Sequence, residues 1–302
     1  MSALAAAPIE HAAVPRQGPF ASELAQPVAG YRLEAVLGRG RQSVVYLARQ
    51  LRGGRRVALK VARRASLQGM GTEKNLCAQF AVQAALAHRH VVQVFDQGQC
   101  GGDAYLAMEH AARGPLAPHD GRLGTARIAT LFAQAASALG WLHQNGWVHR
   151  DVKPGNLLLR ADGSLALGDF GCACRTGEAG ARPGLVVGTP RYAAPEQSDG
   201  APSGPAADVY GLGACLYETL AGKPLFPGET LSELQGQHQL APVPRLPRES
   251  AGWQPLVDAM LAKDPGQRPR DGLAVLSELT RKRHSLLRPF GRGSMHESRI
   301  ST

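Results

Sequence analysis

WVHRDVKPGNLLL, residues 147–159, is the stretch that decides how this chain is read. Its polar members, His149, Arg150, Asp151, Lys153 and Asn156, lie between apolar ends, and their types and spacing form one chemical set. A carboxylate such as Asp151 orients an attacking hydroxyl and can take its proton. Lys153 can neutralise charge on a transferred phosphoryl group, and Asn156 offers an oxygen ligand to a magnesium ion. Further on stands GDFG, whose Asp169 can hold that ion against phosphates. The residues between, LLLR and SLALG, read as a short strand pair turned at Asp162-Gly163.

Towards the N-terminus, LGRGRQSVVY (37–46) places Gly38 and Gly40 around a turn between two strands, where backbone N–H groups can approach phosphate oxygens. VALK ends an apolar strand on Lys60, a cation placed to meet phosphates. YRLEAVLG, SVVYLAR and RVALKVA read as three strands, with Gly53-Gly54 marking a hairpin between the last two. Residues 63–71 read as a linker and 72–87 as an Ala-rich helix opened by Thr72. VVQVFDQG and AYLAMEH read as two more strands. After residue 113 the period becomes helical. In TARIATLFAQAASALGWLHQNG the apolar Ile128, Leu131, Phe132, Ala135, Leu139 and Leu142 recur at helical spacing, and Gly146 stands where the helix should stop. ADVYGLGACLYETLAG, WQPLVDAMLA and LAVLSELTRK read as further helices.

The formal net charge of +10 forms no aromatic-interleaved basic face, so no nucleic-acid partner is expected. Five cysteines at irregular spacing, Cys77, Cys100, Cys172, Cys174 and Cys215, argue against a secreted disulfide framework. No second Cys or His pair near Cys172 and Cys174 completes a zinc site. No apolar run approaches a membrane span, and the Ala- and Pro-rich start lacks the layout of a signal peptide, so a cytoplasmic location is expected.

Together these motifs make the sequence similar to the eukaryotic-type serine/threonine protein kinases, in the style of their bacterial branch, from about Tyr31 to His284. The resemblance implies an α+β, bilobal kinase fold: a five-stranded antiparallel N-lobe with one helix (30–111) and a mostly helical C-lobe (112–284). Residues 1–29 would be a flexible leader and 285–302 a basic flexible tail. It implies transfer of the γ-phosphoryl group of ATP to protein Ser/Thr hydroxyls, with Mg2+ (or Mn2+), protein substrates and autophosphorylation; nothing in it sets the oligomeric state.

The implied site residues follow the motifs. Asp151, Lys153 and Lys60 are catalytic, and Asn156 and Asp169 hold metal. Leu37, Gly38, Arg39, Gly40, Ser43, Val45, Ala58, Lys60, Met108, Glu109, Ala111 and Leu158 meet ATP. Within GTPRYAAPEQ, Thr189 would contact Asp151 and Lys153, as in the serine/threonine branch. Asp208 would buttress the 147–156 loop, and Arg268 would pair with Glu196. Gly155 replaces an acidic residue found in many kinases that select basic substrates.

The sequence also departs from the family. Ser43 replaces a third glycine, and Gln79 stands where a helix glutamate normally pairs with the strand lysine. Gln83 replaces an apolar packing residue, which implies a helix docked by ATP or a partner. The segment 169–196 contains no serine, so Thr176 carries the phosphate for Arg150, or Glu178 stands in for it. The alternative function is a pseudokinase serving as an ATP-binding or scaffold module. Ser43 and Gln79 favour it, and the intact Lys60, Asp151, Asn156 and Asp169 oppose it. A small-molecule phosphotransferase of the same fold is opposed by the GTPRY–APE segment.

Overall fold

The computed structural model describes residues 28–40, 43–62, 83, 87–100, 103–117, 123–178 and 187–287. The leader before Val28, the linker, Thr72, Gln79 and the tail beyond Leu287 lie outside the described residues, as does the 72–87 helix except at Gln83 and Ala87. The described residues form two compact units. One runs to Ala87 and resumes at Val92–Ala112; the other joins His88–Val91 to the residues from Arg113 on.

The first unit is an antiparallel sheet of β1 (Tyr31–Arg39), β2 (Ser43–Gln50), β3 (Arg56–Ala62), β4 (Val94–Cys100) and β5 (Asp103–Glu109), in the order β1-β2-β3-β5-β4. Strand residues alternate between faces. Val44, Tyr46, Ala48, Val57, Leu59, Val61 and Ala107 therefore gather on one side, in a core that includes Val28 and Tyr31. The rungs Val45↔Lys60↔Leu106 and Leu47↔Ala58↔Met108 line the other side. Gly53 and Gly54, at φ +82° and +67°, make the hairpin that only left-handed backbone allows.

Two boundaries of the first unit differ from the sequence expectation. Val28, inside the stretch read as leader, is buried in the sheet's core, and its carbonyl accepts the Tyr31 N–H. A single apolar residue carries no period, so pattern reading passes over it. β4 begins at Val94 and not at Val91, because Val91 forms a parallel bridge with Leu167 of the second unit.

The second unit contains β6 (Gly114–Pro115), α1 (Thr125–Gln144), β7 (Trp147–Val148), β8 (Leu157–Leu159), β9 (Leu165–Leu167) and β10 (Cys174–Arg175). It continues through α2 (Pro195–Ser198), α3 (Pro205–Ala221), α4 (Leu231–Leu240), α5 (Gln254–Met260) and α6 (Gly272–Leu287). The apolar stripe of α1 is buried as its spacing implies, each large side chain contributing about 1.5–3 kcal/mol. Gly146, at φ +74°, follows the end of α1. α1 meets α6 closely: a Cβ on Gly272 would fall 2.3 Å from the Gly140 nitrogen. α6 extends through Leu287, past the expected start of the tail. α3 is buried along most of its length and supplies the polar anchors described below. Among the described residues no helix is long and apolar enough to cross a membrane.

Candidate active site

The 147–156 loop leaves β7 in an irregular path. Arg150 is left-handed, at φ +64°, a conformation that costs a non-glycine residue about 1–2 kcal/mol. Asp208, from the first turn of α3, holds it there. Its carboxylate accepts the Arg150 N–H at 2.8 Å, the His149 N–H at 2.7 Å and His143 Nε2–H at 2.9 Å. Asp208 is 1% exposed. Burial alone would raise its pKa, but the hydrogen bonds from the His143 ring and the His149 N–H outweigh burial and leave it lowered.

The histidine tautomers follow from their partners. His143 Nδ1 accepts the Gly272 N–H at 3.1 Å, so Nε2 carries the hydrogen towards Asp208. His149 Nδ1 accepts the Asp151 N–H at 3.3 Å, and its Nε2–H donates to the Gly168 carbonyl at 3.1 Å. Phe170 packs edge-on to His149, with ring centroids 4.9 Å apart.

Three side chains then converge. The Thr189 hydroxyl donates to Asp151 Oδ1 at 2.7 Å and accepts from Lys153 Nζ at 2.8 Å. Lys153 Nζ also lies 2.7 Å from Asp151 Oδ2. Gly188, at φ +101°, permits this approach, since a Cβ there would come 2.5 Å from the Arg150 carbonyl oxygen. Asn156 Nδ2 donates to the Asp151 carbonyl at 2.8 Å and to Asp151 Oδ2 at 3.2 Å. That fixes the amide and leaves its Oδ1 as the acceptor.

Asn156 and Asp169 both belong to this unit, and their donor chemistry fits a hard divalent ion. Asp169 is left-handed at φ +57°, and its Oδ1 accepts the Gly171 N–H at 3.3 Å. One carboxylate and one amide oxygen suit an ion that completes its shell with phosphate and water. Three residues beyond Asp169 stands Cys172, whose pKa is raised to about 11 by burial and by the charges of Asp151 and Asp169. Its thiol stays protonated at neutral pH.

The first unit holds most of the expected nucleotide residues. Leu37 is exposed, Gly38 pairs with Val45 across β1 and β2, and the Gly40 N–H reaches the Ser43 carbonyl at 2.8 Å. Val45, Ala58, Lys60 and Met108 share one sheet face by register. Arg39 ends β1, Glu109 ends β5 with its N–H on the Gln93 carbonyl at 2.8 Å, and Ala111 is buried just beyond. Leu158 belongs instead to the second unit, in β8 opposite Pro115 and Ala166. Gln83 is buried, its amide donating to the Val92 carbonyl at 3.4 Å.

The anchors behind the site are also in place. Arg268 grips Glu196 with both guanidinium arms, at 2.7 and 2.9 Å, and donates to the carbonyls of Ala262, Ala206 and Lys263. All five of its donors are thus satisfied. Glu178 does not act as the stand-in anion for Arg150. Its carboxylate accepts the Arg175 N–H at 3.0 Å, while Arg150 Nε donates to the Cys172 carbonyl at 2.6 Å. Thr176 is exposed beside them, its N–H on the Gly146 carbonyl.

Three supporting residues went unread in the sequence: His143, His238 and Gln197. His238, on α4, takes the Tyr210 hydroxyl at 2.8 Å and donates to the Arg191 carbonyl at 3.1 Å. Nothing local marks either histidine. Gln197 had a signal, as the third helical residue after the N-cap Ala194, where a glutamine reaches back to the cap N–H.

Comparison with known proteins gives concordant results. A family model described as "Protein kinase domain" matches residues 31–279. The serine/threonine-protein kinase PknA of Mycobacterium tuberculosis is 35% identical over 252 residues, covering 80% of this chain and 58% of its own length. PknA of Mycobacterium bovis matches to the same extent. The serine/threonine-protein kinase PknB of Mycobacterium tuberculosis is 34% identical over 272 residues, 83% of this chain and 42% of its own. The chain therefore spans about half the length of these relatives.

Proposed function

This chain belongs to the protein kinase family, and on that premise we propose that it transfers the γ-phosphoryl group of ATP to serine and threonine hydroxyls of protein substrates in bacterial signalling. The reading rests on one observation above the others, the closed contact of Asp151, Lys153 and Thr189 with Asn156 alongside.

Kinases of this family use ATP and a divalent metal. Asp151 orients the substrate hydroxyl and accepts its proton. Lys153 neutralises charge on the phosphoryl group in flight. Asn156 and Asp169 hold the metal, for which Mg2+ is the proposed ion and Mn2+ a substitute; when bound, it screens the phosphates' negative charge. Lys60 and the Gly38–Ser43 turn hold phosphates, while Val45, Ala58, Met108, Glu109, Ala111 and Leu158 take the adenine end. Catalysis on this scheme is positioning plus fixed charge.

Serine/threonine selectivity draws support from Lys153 and from the Thr189 hydroxyl it holds. We assign the kinase domain from Val28 through α6. Autophosphorylation and a cytoplasmic site of action, where ATP and reduced thiols such as Cys174 and Cys215 coexist, complete the reading. The test is transfer from γ-labelled ATP to matched Ser, Thr and Tyr peptides. Label on Ser and Thr, lost in Asp151→Ala, is the expected result. Tight ATP binding without transfer would replace this reading with the pseudokinase.

A further inference from the structure

Gln197 makes a set of contacts that no motif role accounts for. Its Oε1 accepts the Ala194 N–H at 2.9 Å, the return arm of a helix cap. That bond fixes the orientation of the amide. Nε2 then faces two carbonyls, donating to Arg150 at 3.1 Å and to Val187 at 3.2 Å.

Both carbonyls matter to Asp151. The Arg150 carbonyl belongs to the peptide unit that also carries the Asp151 N–H. That N–H is held by His149 Nδ1 at 3.3 Å, so the unit is tied at its hydrogen by His149 and at its oxygen by Gln197. The preceding peptide is tied through the Arg150 N–H to Asp208. Left-handed backbone at Arg150 relaxes by rotation of an adjoining peptide plane, and these bonds oppose that rotation. Val187 lies two residues before Thr189, whose hydroxyl sits on Asp151 Oδ1. One amide group therefore fastens the backbone that aims Asp151 and the backbone that delivers Thr189. Without it, two carbonyl dipoles would face each other across the contact made close by Gly188.

We infer that Gln197 is a positioning residue for phosphoryl transfer, cross-linking the Arg150–Asp151 peptide to the Val187–Thr189 segment. It touches no substrate and acts through Asp151. The inference rests on the kinase reading above.

The test uses two substitutions in the full chain. Gln197→Met keeps the side chain's length and removes both donors. Gln197→Glu keeps an acceptor for Ala194 but turns a carboxylate oxygen on the two carbonyls. A small displacement of a reacting group costs up to about 100-fold in rate, so kcat should fall about 10-fold in Gln197→Met and further in Gln197→Glu. The KM for ATP should stay at the wild-type value, and Gln197→Met, which loses a cap bond and two carbonyl ties, should melt a few degrees lower yet remain folded at the assay temperature, which separates positioning from loss of fold. Wild-type kcat in Gln197→Met, or a fall in kcat no larger than its unfolded fraction at the assay temperature accounts for, overturns the inference. If Gln197→Glu does not fold, Gln197→Met alone decides it. Wild-type transfer measured beside Asp151→Ala tests the kinase reading separately. Were wild type inactive, hydrogen exchange over 148–152 would decide: faster exchange in Gln197→Met supports the tie, and unchanged exchange refutes it.

Discussion

In β3, Ala58 and Lys60 share a face because alternate strand residues do, and rungs to Val45 and Met108 align four candidate nucleotide contacts with no side-chain bond among them required. In the 147–156 loop no period operates. Two non-glycine residues of the second unit, Arg150 and Asp169, are left-handed, and the aim of Asp151 depends on bonds from residues 38–57 positions away. A sheet spreads positioning over many rungs, so one substitution perturbs it little. A loop held by a few buried polar ties concentrates the cost in each of them.

That contrast sets the order of expected effects. Asp208→Ala strands three donors around a fully buried site, and breaking such a tie costs about 3–5 kcal/mol. Urea unfolding should show that loss together with near-complete loss of transfer; a stable, active variant would mean the loop holds its shape unaided. His238 is the next tie. Burial, then the charge of Lys263, lower its pKa from 6.5 to about 4, so it is neutral in the folded protein where the unfolded chain would take up a proton. Its contribution is present above pH 6.5 and is lost as pH falls to about 4, an effect of about 3 kcal/mol. Replacing His238 with Gln should flatten stability over that window, and an unchanged pH profile would remove His238 as its source. On the sheet, Val45→Ala deletes about two methyl groups and should raise the KM for ATP about fivefold with kcat unchanged. An equal fall in kcat would show that this face, too, works by a few critical contacts.

Periodic features were legible in the sequence. The five strands, the α1 stripe and the Gly53-Gly54 hairpin need only neighbours to declare themselves, and the structure has them. Single anchors were not. Val28 has no pattern around it, and Val91 pairs outside the strand it seemed to start. The pairing of Arg268 with Glu196 and the role of Asp208 came from the family resemblance alone, because their partners are far away in sequence. Gln197 carried a cap signal that went unread, and its contacts beyond the cap appear only once Arg150 and Val187 are brought beside it. Charge matching misplaced Glu178, since the nearer Arg175 N–H takes its carboxylate.

The most direct test of the central claim, that Asp151, Lys153 and Thr189 form a working phosphoryl-transfer site, is phosphosite mapping of the purified chain after incubation with Mg-ATP, beside Asp151→Asn. The expected result is phosphate on serine and threonine in the wild-type chain and none in the variant. Equal phosphate in both, or phosphate on tyrosine alone, would contradict it.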